Sequence, residues 1–189
     1  MTIDDRIAHF RASYPKQAAS WPWAAREMGH DVLYAVWVIR PFPRGLLQRV
    51  RALFPDVSTE SVGGRFETIH AFSGSLPVGA YDRCDLVQPA EFACDVRDLP
   101  NQTSHRWRLV VADPPYSAVD AKKYGTPMVN RRAAIAALAQ VTSEGAHLVW
   151  LDTCWPIHSK REWVTVGRIL VQRSTNHRAR VLTIFRRQP

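Results

Sequence analysis

Leu109-Val110-Val111-Ala112-Asp113-Pro114-Pro115-Tyr116 decides how this chain is read. Four apolar residues in a row read as a buried strand. Two prolines close behind it end the ladder, because each removes a backbone donor and fixes φ. Their carbonyls then face whatever lies beyond the strand. Asp113 stands just before them and the Tyr116 ring just after. An anionic acceptor, a carbonyl acceptor and a stacking face are thus expected together at the carboxyl edge of a sheet. A planar heterocycle bearing an exocyclic amino group fits such a site. The plainer alternative is a strand-ending turn, since Asp and Pro are common turn residues.

Outward from this stretch the pattern alternates. Upstream, Phe66–Phe72 reads as a strand running into Ser73-Gly74-Ser75, Arg83–Val87 as a short strand carrying Asp85, and Phe92–Cys94 as one leading to Asp95. Downstream, 129–141 is Ala-rich and helical with Gly145 near its end, and His147–Asp152 is the next strand. Val166–Gln172 and Arg180–Phe185 flank Ser174-Thr175-Asn176-His177 as a hairpin. Strands and helices that alternate and finish in a hairpin predict an α/β fold with a mostly parallel sheet and an antiparallel edge strand. Residues 1–60 read as a helical lead-in packed on the core: a helix over 2–13, a break at Trp21-Pro22-Trp23, a strand over Val32–Ile39 and an amphipathic helix over 44–54.

At 189 residues one domain is expected, and 46% hydrophobic with 22% charged residues is a globular composition. No apolar run approaches the length of a membrane span, so no membrane association is expected. The acidic, amphipathic start Met1–Arg6 is unlike a secretory signal. Cys84, Cys94 and Cys154 are odd in number and lack metal-ligand spacing. They read as reduced core residues of a cytoplasmic protein, with no metal site. The net charge of +8 favours an anionic partner, of which nucleic acid is the usual one, against the alternative of a merely solvated basic surface. Lys122-Lys123, Arg131-Arg132, Lys160-Arg161 and the C-terminal arginines gather that charge, which does not by itself separate DNA from RNA.

Asp-Pro-Pro-Tyr after a buried strand, preceded by a Gly-containing loop and two strand-terminal acids, resembles the class I S-adenosylmethionine-dependent methyltransferases. The nearest branch is the amino-methyltransferases of adenine N6 or cytosine N4. The resemblance runs from about Phe66 to the C-terminus, in the order of family members that have not been permuted. It implies a Rossmann-like methyltransferase sheet over 61–189 and S-adenosylmethionine as cofactor. It also implies a nucleic-acid substrate, DNA ahead of RNA, with the cofactor held at Phe72, Ser73 and Gly74. Asp85 would take the ribose, and Asp95 with the Val96 N–H the adenine. Asp113, Pro114, Pro115 and Tyr116 become the catalytic loop. The segment 117–127 becomes a mobile lid with Lys122, Lys123 and Tyr124 toward substrate, and Trp155 a wall of the target pocket.

Two departures from the family stand out. Ser75 occupies a position where many members carry a second glycine, and only about ten residues separate Phe72 from Arg83. Joining parallel neighbours takes a dozen or more as a rule, so the first crossover helix is expected to be missing or the second strand abbreviated. With no room for an added recognition domain, relaxed or short-site specificity is expected, or reliance on a partner subunit or homodimer. An RNA base methyltransferase is the nearest alternative. A non-catalytic nucleic-acid-binding subunit that keeps the fold is the alternative from another class.

Overall fold

The computed structural model describes residues 1–27, 29–39, 44–173 and 179–189. In chain order its elements are α1 (Ile3–Ser13), β1 (Trp23–Glu27), β2 (His30–Ile39), α2 (Arg44–Leu53), β3 (Thr68–Ala71), β4 (Asp82–Asp85), β5 (Phe92–Ala93), α3 (Leu99–Gln102), β6 (Trp107–Ala112), α4 (Ala118–Tyr124), α5 (Arg131–Gln140), β7 (Thr142–Asp152), β8 (Trp163–Arg173) and β9 (Ala179–Arg187). The chain divides into two compact units: 1–56 with 165–183, and 57–164 with 184–189.

In the first unit the side chain of Thr2 caps α1 and Asp5 returns the bond, so two orphan donors of the helix start are satisfied. Arg6 fastens α1 by donating to the Leu53 carbonyl at 2.8 Å and to Asp56 at 2.7 Å. Phe10 stacks on Trp37 of β2 at 5.5 Å. β1 pairs antiparallel with β2, and β2 lies parallel to β8. The stretch read as a helical lead-in therefore holds a β-ribbon as well as its two helices. β1 was not foreseen: Trp-Ala-Ala-Arg-Glu has no alternating pattern, and pairing with β2 overrides its weak local preference. β8 and β9 are hydrogen-bonded neighbours, as the hairpin reading expects. Its turn, 174–177, lies outside the described residues.

The second unit is the α/β part. Outward from β3, the neighbours are β4 then β5 on one side and β6 then β7 on the other, all parallel. β6 is the continuous apolar run of the sequence, and Leu109–Ala112 are all buried, as a central parallel strand requires. Ile69, Val110, Leu148 and Trp150 pack with Ala134, Ile135 and Leu138 of α5 in one core cluster. Fully burying each large apolar side chain is worth about 1.5–3 kcal/mol. Buried indoles find partners: Trp107 donates to Asp82 at 2.8 Å and Trp163 to the Ile135 carbonyl at 3.3 Å.

No helix joins β3 to β4, as expected from the short spacing. Each strand has four residues and so rises only about 13 Å, a span that ten extended residues cover easily. Within this link the Tyr81 ring folds back so tightly over Gly79 that a Cβ there would sit 2.6 Å from it. Gly145 is not at a helix end: α5 stops at Gln140, and Gly145 lies inside β7 at φ 74°, where the β6–β7 register shifts. An irregularity of this kind takes a glycine to reach positive φ without strain.

Candidate active site

β3 and β6 are adjacent, and the chain leaves them toward opposite sides of the sheet, β3 to β4 and β6 toward β7. That is a topological switch point, and in open parallel sheets ligands bind outside the carboxyl ends of the strands there. The loops on its two sides are Phe72-Ser73-Gly74 and Asp113-Pro114-Pro115-Tyr116, the two segments singled out from sequence. The Asp113 N–H continues the strand ladder, donating to the carbonyl of Ala71, the last residue of β3, at 3.4 Å.

The β3 loop is strained and stitched. Phe72 has φ 57°, the one positive value at a non-glycine among the described residues. For a bulky side chain this is a genuine outlier of the kind that clusters at functional sites. Gly74 follows at φ 54°, with open space where a Cβ would stand. The Ser73 N–H donates to the Cys84 carbonyl at 3.1 Å, and the Gly74 N–H to Asp85 Oδ2 at 2.7 Å. Asp85 Oδ1 accepts from the Val87 and Gln88 N–H groups at 2.9 and 2.8 Å. One carboxylate thus holds the β3 loop against the end of β4, where a crossover helix is missing. The Ser73 hydroxyl is 6% exposed on its residue and has no partner among the described residues. A buried, unpaired hydroxyl is costly, and a ligand group is one way to satisfy it.

Asp95 follows β5. Arg97 grips it at Oδ1 through its own N–H and Nε, both at 2.9 Å, and at Oδ2 through Nη2 at 2.7 Å. A carboxylate offers about four acceptor positions. Asp85 and Asp95 each have three taken, which leaves one on Oδ2 in each case. Val96 beside Asp95 is buried. The Arg97 hydrogen bonds, more than the charge alone, hold the Asp95 carboxyl below its ordinary value against the opposing effect of burial. A depressed folded value means that this pairing stabilises the fold above the ordinary carboxyl value, about 3.9, and that the contribution fades as pH falls below it. Arg97→Ala is accordingly expected to move the Asp95 midpoint upward in a carbon-detected NMR titration and to remove that acid-side loss.

Cys84 and Cys94 lie between these acids with Sγ atoms 3.9 Å apart, and burial pushes the Cys84 thiol up. All three cysteines are free; Cys84 is buried as expected, Cys94 is half-buried, and Cys154 is exposed rather than in the core. Among the described residues no group of His, Cys, Asp and Glu could hold a metal ion, and no helix is long and apolar enough to cross a membrane.

On the other side of the switch point, Pro114 and Pro115 are buried and the Tyr116 hydroxyl donates to Asp113 Oδ1. The segment read as a mobile lid forms α4, capped by Ser117 onto the Asp120 N–H and ended by Gly125 in the left-handed conformation. Ser, then Gly at these two positions are the residues that start and stop a helix. Lys122, Lys123 and Tyr124 are exposed on it, and Trp155, 64% exposed, follows the carboxyl end of β7.

Two residues escaped the sequence reading. Arg131, the first residue of α5, donates to Asp152 through Nε at 2.6 Å and Nη2 at 3.1 Å, and through Nη2 to the Tyr116 carbonyl at 3.1 Å. Asp152 ends β7 and is wholly buried. The Asp152 hydrogen bonds raise the Arg131 guanidinium further above its ordinary value. The signal was present: an acid closing a strand, and a cation at a helix start where the dipole disfavours one.

No family model matches the chain, and no curated protein matches it. Solved structures to which the chain is similar include TrmN from Thermus thermophilus (11% identity, 64% of this chain and 43% of that one, TM-score 0.44). Others are the N-methyltransferase NodS from Bradyrhizobium japonicum (13%, 65% and 85%, 0.40) and an rRNA methylase from Streptococcus thermophilus (9%, 80% and 100%, 0.43). The chain spans less than half of the TrmN chain. At such identities and scores none of them lends its activity or substrate to this chain.

Proposed function

We propose that the chain is an S-adenosylmethionine-dependent methyltransferase that methylates an exocyclic amino group of a nucleic-acid base, adenine N6 in DNA. The observation that carries this reading is that Asp113-Pro114-Pro115-Tyr116 and Phe72-Ser73-Gly74 follow the ends of adjacent parallel strands at the switch point, where the Asp113 N–H meets the Ala71 carbonyl. Catalysis is assigned to residues 61–189, with 1–60 as lead-in.

The residues fit the cofactor. The orphan Ser73 hydroxyl and the open space at Gly74 suit its methionine part, and the spare acceptor of Asp85 suits one ribose hydroxyl. The spare acceptor of Asp95 suits the adenine amino group. When bound, S-adenosylmethionine supplies an electrophilic sulfonium methyl. Asp113 and the Pro114 carbonyl accept the two N–H bonds of the target amino group, whose lone pair is otherwise delocalised into the ring. That favours a tetrahedral nitrogen with its lone pair free to attack, and the carboxylate stabilises the positive charge that develops there. A base in a duplex must first be flipped out to reach such a loop. Lys122 and Lys123 on α4 follow the carboxyl end of β6 as exposed cations that suit a phosphate backbone.

Tyr116 stacks on the base in this reading, a contact worth about 1–3 kcal/mol. Its hydroxyl bond to Asp113 belongs to the free protein. Tyr116→Phe is therefore expected to keep most of the rate, whereas Tyr116→Ala loses about 10- to 100-fold in kcat/KM. The function is tested by incubating the chain with methyl-labelled cofactor and mixed DNA and RNA, followed by nucleoside mass spectrometry. N6-methyladenine from DNA supports the proposal. Label in RNA alone moves the substrate to RNA, and absence of both transfer and calorimetric cofactor binding leaves a binding subunit.

A further inference from the structure

We infer that Arg131 and Asp152 form a positioning clamp that fixes the Asp113–Tyr116 loop relative to the Phe72 loop across the switch point, an inference that rests on the methyl-transfer reading of those loops. Each partner breaks a local rule. Asp152 is wholly buried, and an ionised carboxylate taken from water costs several kcal/mol unless paired. Arg131 opens α5, where the positive end of the helix dipole disfavours a cation. Buried ion pairs of this kind are often no more stable than apolar residues of the same volume. What the pair adds is geometry.

The connections trace one path. The Arg131 fork takes both oxygens of Asp152, and the same Nη2 donates to the carbonyl of Tyr116, the last residue of the catalytic loop. Asp152 is itself held by the Trp150 indole at 3.1 Å and the Thr153 N–H at 2.7 Å. The Trp150 ring meets the Phe72 ring edge-on, centroids 5.9 Å apart at 84°. A chain of packed and hydrogen-bonded groups thus runs from the strained β3 loop to the end of the β6 loop. Both loops would present reactants, and in-line transfer depends on their mutual alignment; a misplacement of about 1 Å can cost about 100-fold. A lysine at 131 could neutralise Asp152 but has no planar fork with which to reach two acceptors in fixed directions.

The test compares the full chain with Arg131→Lys and Arg131→Met. Thermal unfolding, hydrogen exchange of the amides of Asp113, Tyr116, Ser117 and Ala118 in the free protein, cofactor affinity by calorimetry and kcat on the best substrate are read for each. Arg131→Lys is expected to keep the unfolding midpoint close to that of the parent while loop exchange quickens about tenfold and kcat falls about 100-fold, with cofactor affinity changed less than about twofold. Arg131→Met is expected to lose midpoint, loop protection and kcat together. The clamp is overturned if Lys restores loop protection and kcat along with the midpoint, for then charge neutralisation is all that Arg131 provides. It is equally overturned if Met lowers the midpoint and leaves loop exchange unchanged. Should the parent transfer no methyl group, the functional reading fails while the exchange arm still decides the clamp.

Discussion

Asp113→Ala is expected to lower methyl transfer at least about a thousandfold while cofactor affinity stays near that of the parent. The carboxylate is the charged acceptor of the loop, and its place at the sheet edge depends on the backbone bond to Ala71, which alanine preserves. The fold should therefore survive. Loss of one preorganised group that stabilises developing charge typically costs 10²–10³ in rate. In the proposed reaction the same residue would also direct the lone pair of the nucleophile, hence the larger figure. Asp113→Asn separates the two contributions. Its amide oxygen can accept one N–H and keep the Tyr116 hydroxyl bond, but it carries no charge, so an intermediate rate is expected. Single-turnover transfer of labelled methyl, read beside calorimetric titration of the cofactor, measures both quantities. An Asp113→Ala protein that transfers methyl at the parental rate would remove this loop from the chemistry.

The second large effect is expected at Asp85. Asp85→Ala deletes an acceptor shared by three backbone N–H groups. Val87 and Gln88 are exposed and can turn to water, whereas Gly74 is half-buried. The stability cost should be about 1 kcal/mol, the net worth of one hydrogen bond. The larger loss is expected in cofactor affinity, about 100-fold or more, because the β3 loop and the proposed ribose acceptor go together. Asp85→Asn keeps one acceptor oxygen and introduces a donor beside three others, so it should recover stability only in part. Chemical denaturation and calorimetry on the same samples separate the two losses. Unchanged cofactor affinity in the Asp85→Ala protein would mean that the acid serves only the turn.

Much of the α/β unit was legible because its strands are buried on both faces and so read as apolar runs with chemistry at their ends. The apolar run Leu109–Ala112 is the carboxyl-terminal part of β6, and the short spacing between β3 and β4 already required either a missing helix or an abbreviated strand. β1 was not legible, since five residues without alternation become a strand only through the partner that β2 offers. The β7 bulge at Gly145 was read as a helix end, because glycine marks both. In the site, strand-terminal acids could be placed in order along the chain. Their bond partners could not: that Asp85 reaches Gly74, or that Arg97 covers Asp95, depends on loop paths that carry no periodic pattern. Ser117 and Gly125 carry the start and stop signals of α4, which the lysines between them obscure in the sequence.

The missing helix also bears on how the chain assembles. From Ile69 to its partner Asp82 is thirteen positions along the chain, whereas Thr68 and its partner Leu109 on β6 are forty-one apart. Closing the longer loop costs about 1 kcal/mol more in chain entropy, before the polar link between the strands gives anything back. Pairing of β3 with β4 is thus a local event, close to a hairpin in the chain length that it must gather. Pairing of β3 with β6 waits on the collapse of a much longer segment. The half of the molecule that would hold the methyl donor can take shape early, from neighbours in sequence. The half that would hold the acceptor completes the switch point last.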